Sequence, residues 1–269
     1  MMLITILGYI AALIIGVVLG LTGGGGSILT VPVFVYLLGI DPVLATGYSL
    51  FVVGSSSMFG AIKNVQKKLV NFSTSLIFAV PAVIAVFSTR KFIIPAIPET
   101  IFQNEKITIS KDMVIMVFFA ALMLVASFSM IFNKKREMSS INLEQTKSIN
   151  LFSLIILGIV TGVVTGLVGA GGGFIIVPIL IFFAKLPIKK AAATSLFIIA
   201  LNSLIGFLGD ALQIDIDWYF LLSFSALSIV GIFLGIYLNK FIDGAKLKKG
   251  FGWLVLLMGV YIFYKEILL

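Results

Sequence analysis

The sequence predicts an all-α polytopic membrane protein with about ten transmembrane segments. They form two inverted five-segment repeats with Gly-interrupted short helices. Three observations predict this: an extreme apolar composition, ten apolar blocks separated by polar breaks, and an internal repeat. Over 269 residues, 60% are apolar and 11% charged, and mean hydropathy is +1.21. A soluble domain is ~45–50% apolar and ~25% charged, so this chain has too little polar surface to coat a soluble particle. A nucleic-acid-binding surface is excluded too, because the 19 basic residues are scattered between apolar blocks. With no Cys and no His, thiol chemistry, disulfides, Cys/His metal sites and Ser-His-Asp triads are excluded. The expectation is a protein that is not an enzyme, with no cofactor and no metal.

A crossing helix needs ~20 mainly apolar residues. The blocks run approximately 3–22, 27–40, 42–62, 70–89, 112–132, 150–168, 173–185, 189–209, 217–239 and 250–268. The first lacks the basic n-region and cleavage site of a signal peptide. The second and seventh are short, and each follows a glycine cluster: Gly23-Gly24-Gly25-Gly26 and Gly169-Ala170-Gly171-Gly172-Gly173. They read as re-entrant stubs or as crossings completed by a Gly loop.

Charge placement favours crossings. With ten spans, loops on one side carry 14 of the 19 basic residues, and the other side carries Arg90, Lys91, Lys106, Lys111 and Lys265. Eight of the 11 acids lie on the basic-poor side. The positive-inside rule makes the rich side cytoplasmic and puts both termini outside. Expected localisation is the cell (cytoplasmic) membrane. Arg90–Lys111 reads as an outer loop, and Asp210 and Asn64 as solvated span ends.

Residues 20–60 lie over 166–206 at an offset of 146, without a gap and with about 13 of 41 positions identical. Val31-Pro32 meets Val177-Pro178, and Ser49-Leu50-Phe51 meets Ser195-Leu196-Phe197. Residues 1–133 form the first repeat, 134–149 a cytoplasmic linker, and 150–269 the second repeat. Five spans per copy invert the second copy. Inverted repeats with matching helix breaks are a signature of secondary transporters with midplane sites.

Glycine runs before short helices have two readings. Gly permits close packing, or it opens the helix and points free N–H groups at an anion. Repetition at matching positions favours the second. Neither cluster is a nucleotide loop: no Lys follows, and Ile28 and Phe174 stand where a third fingerprint Gly is required. Candidate substrate-binding residues are Thr22, Gly23, Gly24, Gly25, Gly26, Ser27, Tyr48, Ser49 and Ser56 in the first repeat. In the second they are Gly169, Ala170, Gly171, Gly172, Gly173, Thr194, Ser195 and Asn202. Ser49/Ser56 and Ser195/Asn202 are two turns apart, so each pair shares a helix face. The hydroxyls read equally as local caps of i−4 carbonyls. Gly231 and Gly235 form a GxxxG in the ninth span, read as close packing or a dimerisation face.

The paired Gly-Leu-x-Gly-x-Gly-Gly-x…Val-Pro motifs, each followed by Ala-x-x-x-Ser-Leu, resemble the sulfite exporter TauE/SafE family, also called the 4-toluene sulfonate uptake permease superfamily. The resemblance covers essentially the whole chain. It implies movement of small sulfur oxyanions such as sulfite, sulfoacetate or thiosulfate, usually outward. The family's Thr-Ser-Leu stands intact at Thr194-Ser195-Leu196 and becomes Tyr48-Ser49-Leu50 in the first half. Alternatives are an anion channel on the same scaffold and a membrane assembly factor. Expected partners are a small anionic substrate, the lipid bilayer and, through GxxxG, a homodimer partner; nucleic acid is not expected.

Overall fold

The computed structural model describes residues 2–104, 107–132, 151–211, 215–239, 241 and 244–268. The proposed linker, 134–149, lies outside the described residues. Among the described residues, eight helices are long and apolar enough to cross a membrane, and two apolar helices are shorter. In chain order they are α1 (Met2–Thr22), the short α2 (Gly25–Leu37), α3 (Pro42–Gln66), α4 (Phe72–Ala96) and α5 (Lys111–Phe132). The second set is α6 (Leu151–Val168), the short α7 (Gly173–Phe182), α8 (Ile188–Asp210), α9 (Trp218–Leu238) and α10 (Gly244–Leu268). An antiparallel hairpin, β1 (Thr100–Asn104) and β2 (Ile107–Ser110), links α4 to α5. The sequence reading carried no strands there. Large side chains such as Leu3, Ile84, Phe152 and Leu257 are exposed, the outer face a bilayer would cover.

The helices begin where the sequence supplies caps. Asp41 accepts from the Val43 and Leu44 amides, with Pro42 opening α3. Asn71 caps α4 by accepting from Thr74, and Asp217 caps α9 by accepting from Phe220. Side-chain oxygens here satisfy amides that have no intrahelical partner. The α2 segment is irregular: a 3-10 turn, a short α stretch ending at Pro32, then a π turn from Val33 to Leu37. Its regular counterpart α7 carries Pro178 inside a helix of 10 residues.

Packing between the repeats is reciprocal. Helix α1 lies against α9, and α6 lies against α4. The equivalent helices α3 and α8 pack on each other, as do α5 and α10. Individual contacts repeat at the same offset of 146. A Cβ at Gly16 would strike the Ser228 backbone, and one at Gly162 would strike Ala82. Gly23 abuts Ala192, and Gly169 abuts Thr46. The Asp217 amide donates to the Tyr48 hydroxyl at 2.7 Å, and the Asn71 amide donates to the Thr194 hydroxyl at 3.1 Å. A pseudo-two-fold axis therefore runs between α3 and α8, as an inverted repeat requires.

Three expectations need correction. Helix α4 continues to Ala96 through a π turn, Thr89–Ile93, so Arg90 is part of a helix and not of an outer loop. Its side chain is fully buried and paired with Asp210, which is 6% exposed and not a solvated end-cap. Asn64, at the equivalent position of the first repeat, is also buried, at 9% exposure. The physical reason is tertiary: each charge has a partner on another helix, which hydropathy along one segment does not register. The close-packing reading of the α9 GxxxG, by contrast, holds: Gly231 and Gly235 meet Gly16 and Gly20 of α1.

Candidate functional site

The two glycine loops meet. A Cβ on Gly173 would collide with the Gly24 backbone, so only glycine allows this contact. Gly24 and Gly171 both bear on Ile199 of α8, and Gly171 also faces Val53 of α3 and the Ser203 hydroxyl. The loops thus converge on the α3–α8 seam. Gly23 (φ +72°), Gly24 (φ +120°), Gly169 (φ +71°), Gly171 (φ +66°) and Gly172 (φ +71°) adopt left-handed backbone, which side chains resist. Ala170 stands at the one position of the second cluster, before the helix starts, that has no positive φ.

The α7 N-terminus has no side-chain cap: Gly172 precedes it, and its carbonyl takes the Ile175 and Ile176 amides. The first turn therefore presents the Gly173 and Phe174 N–H groups with no intrahelical acceptor. Such a terminus carries partial positive charge and favours anions. Thr165, Gly172 and Phe174 line an indentation beside this loop that is too small to hold a water molecule.

The polar candidates divide. Thr22 donates to the Val18 carbonyl at 2.7 Å and accepts from the Gly26 amide, while Ser27 donates to the Gly24 carbonyl. These bonds hold the first loop. Tyr48 and Thr194 latch the starts of α9 and α4. Ser195 donates to the Gly23 and Ala192 carbonyls at 2.5 and 2.8 Å. Ser56 donates to Ser228 at 2.8 Å. Gly25 and Gly26 begin the 3-10 turn.

Ser49 and Asn202 are different. The Ser49 hydroxyl and both Asn202 amide atoms are buried without a hydrogen-bond partner. Asn202 is the counterpart of Ser56, and the counterpart of Ser228 is Ala82, so the bond made in one repeat has no acceptor in the other. Two donors that the candidate set missed, Ser57 and its counterpart Ser203, are also buried and unpaired. Their exact correspondence in the repeat was the available signal. Arg90 was missed as well: its Nη1 donates at 3.0 Å to both Thr46 and Asp210, while Nε and Nη2 have no partner. Here the signal was a polar residue at both Asn64 and Asp210. Buried polar groups are rarely left unpaired, so unpaired groups on α3 and α8, with Ser203 directly against Gly171 of the second loop, mark a place built to hold polar matter. Among the described residues, no group of three or more His, Cys, Asp or Glu is arranged to hold a metal.

The profile of the sulfite exporter TauE/SafE family matches residues 8–262. A probable membrane transporter protein of Xylella fastidiosa is 27% identical over 94% of this chain and 92% of its own length. The probable membrane transporter protein YunE of Bacillus subtilis is 26% identical over 96% and 97%. A probable membrane transporter protein of Methanocaldococcus jannaschii is 37% identical over 40% of this chain and 43% of its own. No solved structure matches with significance. By family and relatives the chain is a membrane transporter, and it belongs to the sulfite exporter TauE/SafE family.

Proposed function

We propose that this transporter exports small sulfur-containing anions (sulfite, sulfoacetate, thiosulfate or another organosulfonate) across the cell membrane by alternating access. The observation that carries this reading is that Ser57, Asn202 and Ser203 are buried, unpaired donors on the two helices where the glycine loops meet, with Ser203 against Gly171. An oxyanion between them would take the open N–H groups of α7, the Ser203 hydroxyl and the Asn202 amide. No lysine or histidine is required, because backbone amides and hydroxyls supply the field. The reciprocal packing supports alternating access, since two equivalent sets of contacts let one side open while the other closes. Moving Arg90 off the loop tally leaves fourteen basic residues against four, which supports a cytoplasmic face at 63–68 and 185–190. A reporter after Leu269 should then lie outside the cytoplasm.

The test is counterflow in proteoliposomes. Reconstituted protein preloaded with sulfite should accumulate radiolabelled sulfite, and Asn202→Ala should lower that accumulation on the order of tenfold. Sulfite-independent signal, or equal flux in the variant, would refute the site. Single-channel currents would instead favour a pore.

A further inference from the structure

Arg90 is the one buried cation of the described core, and the fold uses only part of it. Its side chain is fully buried in the π turn of α4. Nη1 makes both of its bonds, to Thr46 Oγ1 and Asp210 Oδ2, each 3.0 Å long. Nε and Nη2 make none. Those two nitrogens form one edge of the guanidinium, a pair of parallel N–H groups that fits two oxygens of a single oxyanion. Leaving them dry is costly.

Position ties this edge to the transport path. Thr46, which Arg90 holds, lies against Gly169 of the second glycine loop, and Thr89 lies against Gly166. Gly209 of α8 abuts Arg90 itself. The fold does not demand the ion pair. The counterparts of Arg90, Thr46 and Asp210 in the other repeat are Ile236, Ala192 and Asn64, and the same helix packing is made there without charge. Buried ion pairs are commonly replaceable by apolar groups without loss of stability, so retention of this one on a single side calls for another role.

We propose that the Nε/Nη2 edge of Arg90 is a second anion station, on the α4–α8 side of the second glycine loop, for the head group of a singly charged sulfonate or hydrogensulfite. This rests on the reading that the protein moves sulfur oxyanions, and it names the charge state preferred. Asp210 competes for the same guanidinium. A monoanion brings the buried trio to one net negative charge, and a dianion brings it to two, so the station narrows the proposed substrates to hydrogensulfite and organosulfonates and selects against thiosulfate and sulfate.

The test is calorimetric titration of the purified full-length protein in detergent with methanesulfonate and with sulfate. It is run in Asn202→Ala protein, so that the α8 amide does not contribute. Methanesulfonate should bind on the order of tenfold or more tighter than sulfate, and Arg90→Lys should weaken it by a similar factor. Asp210→Asn should tighten methanesulfonate and admit sulfate, a gain that a purely structural ion pair would not give. The double variant Arg90→Ile with Asp210→Asn copies the residues of the other repeat; it should elute as folded protein and lose the station. Wild-type affinity in the double variant, or weaker binding in Asp210→Asn, would overturn the proposal. If those variants are silent while Asn202-dependent sulfite binding persists, only this station falls. If the wild-type protein binds no sulfur oxyanion, the transport reading falls with it.

Discussion

The two repeats share a scaffold and differ in chemistry. Gly23 and Gly169 make the same contact on the opposite repeat, with Ala192 and Thr46, and Tyr48 and Thr194 perform the same latch. Yet the first loop is closed by its own side chains, Thr22 and Ser27, and continues as a 3-10 turn. The second begins a regular helix at Gly173 with no side-chain hydrogen bond capping its start. One counterpart pair differs in the same sense: Ser56 is bonded to Ser228, whereas Asn202 is unpaired. Among the described residues, only the second loop has a buried cation beside it. Inverted symmetry thus supplies the shape and one matched pair of unpaired hydroxyls, Ser57 and Ser203, while divergence between the halves leaves Asn202 and Arg90 as open donors on one side only.

That comparison breaks first at the glycines. Gly23→Val and Gly169→Val should each cost about 3 kcal/mol or more, because a branched side chain meets backbone at a positive φ. Thermal unfolding in detergent checks this; a large loss in only one of them would show that the loops are not equivalent supports. The donors sharpen the contrast. Asn202→Ala should weaken sulfite binding on the order of tenfold with little change in stability, while Ser56→Ala should do the reverse, costing about 1 kcal/mol by stranding Ser228. Equal effects on binding would erase the proposed asymmetry. The latches should behave alike: Tyr48→Phe and Thr194→Val each remove one acceptor for a helix-start amide, at about 1 kcal/mol apiece in the same melts. The smallest effect belongs to Tyr9→Phe. It loses a part-buried bond to Ser223 that has no counterpart in the repeat, and should shift stability by about 0.5 kcal/mol.

Much of this was legible in the sequence because it is local. Apolar length gave the helices, the 146-residue offset gave the inversion, and glycine runs before short apolar blocks marked the loops. What escaped depends on partners far along the chain. Arg90 reads as a loop cation until Asp210 and Thr46 are brought to it from α8 and α3. Tyr48 reads as a substituted pocket hydroxyl until the Asp217 amide arrives from α9. Ser56 and Asn202 look alike in their helices, and only the pairing of α3 with Ser228 separates them. The 100–110 hairpin escaped because its short strands lie in a polar stretch between spans, where no hydropathy period is expected.

The central claim is that the meeting point of the glycine loops holds a small oxyanion. Selenite mimics sulfite and carries an anomalous signal, so a structure of the protein crystallised with selenite tests the claim most directly. An anomalous peak is expected between the α7 N-terminus and the seam of α3 and α8, within hydrogen-bonding reach of Ser203 and Asn202. Selenite peaks elsewhere on the protein, with none at the loops, would contradict it.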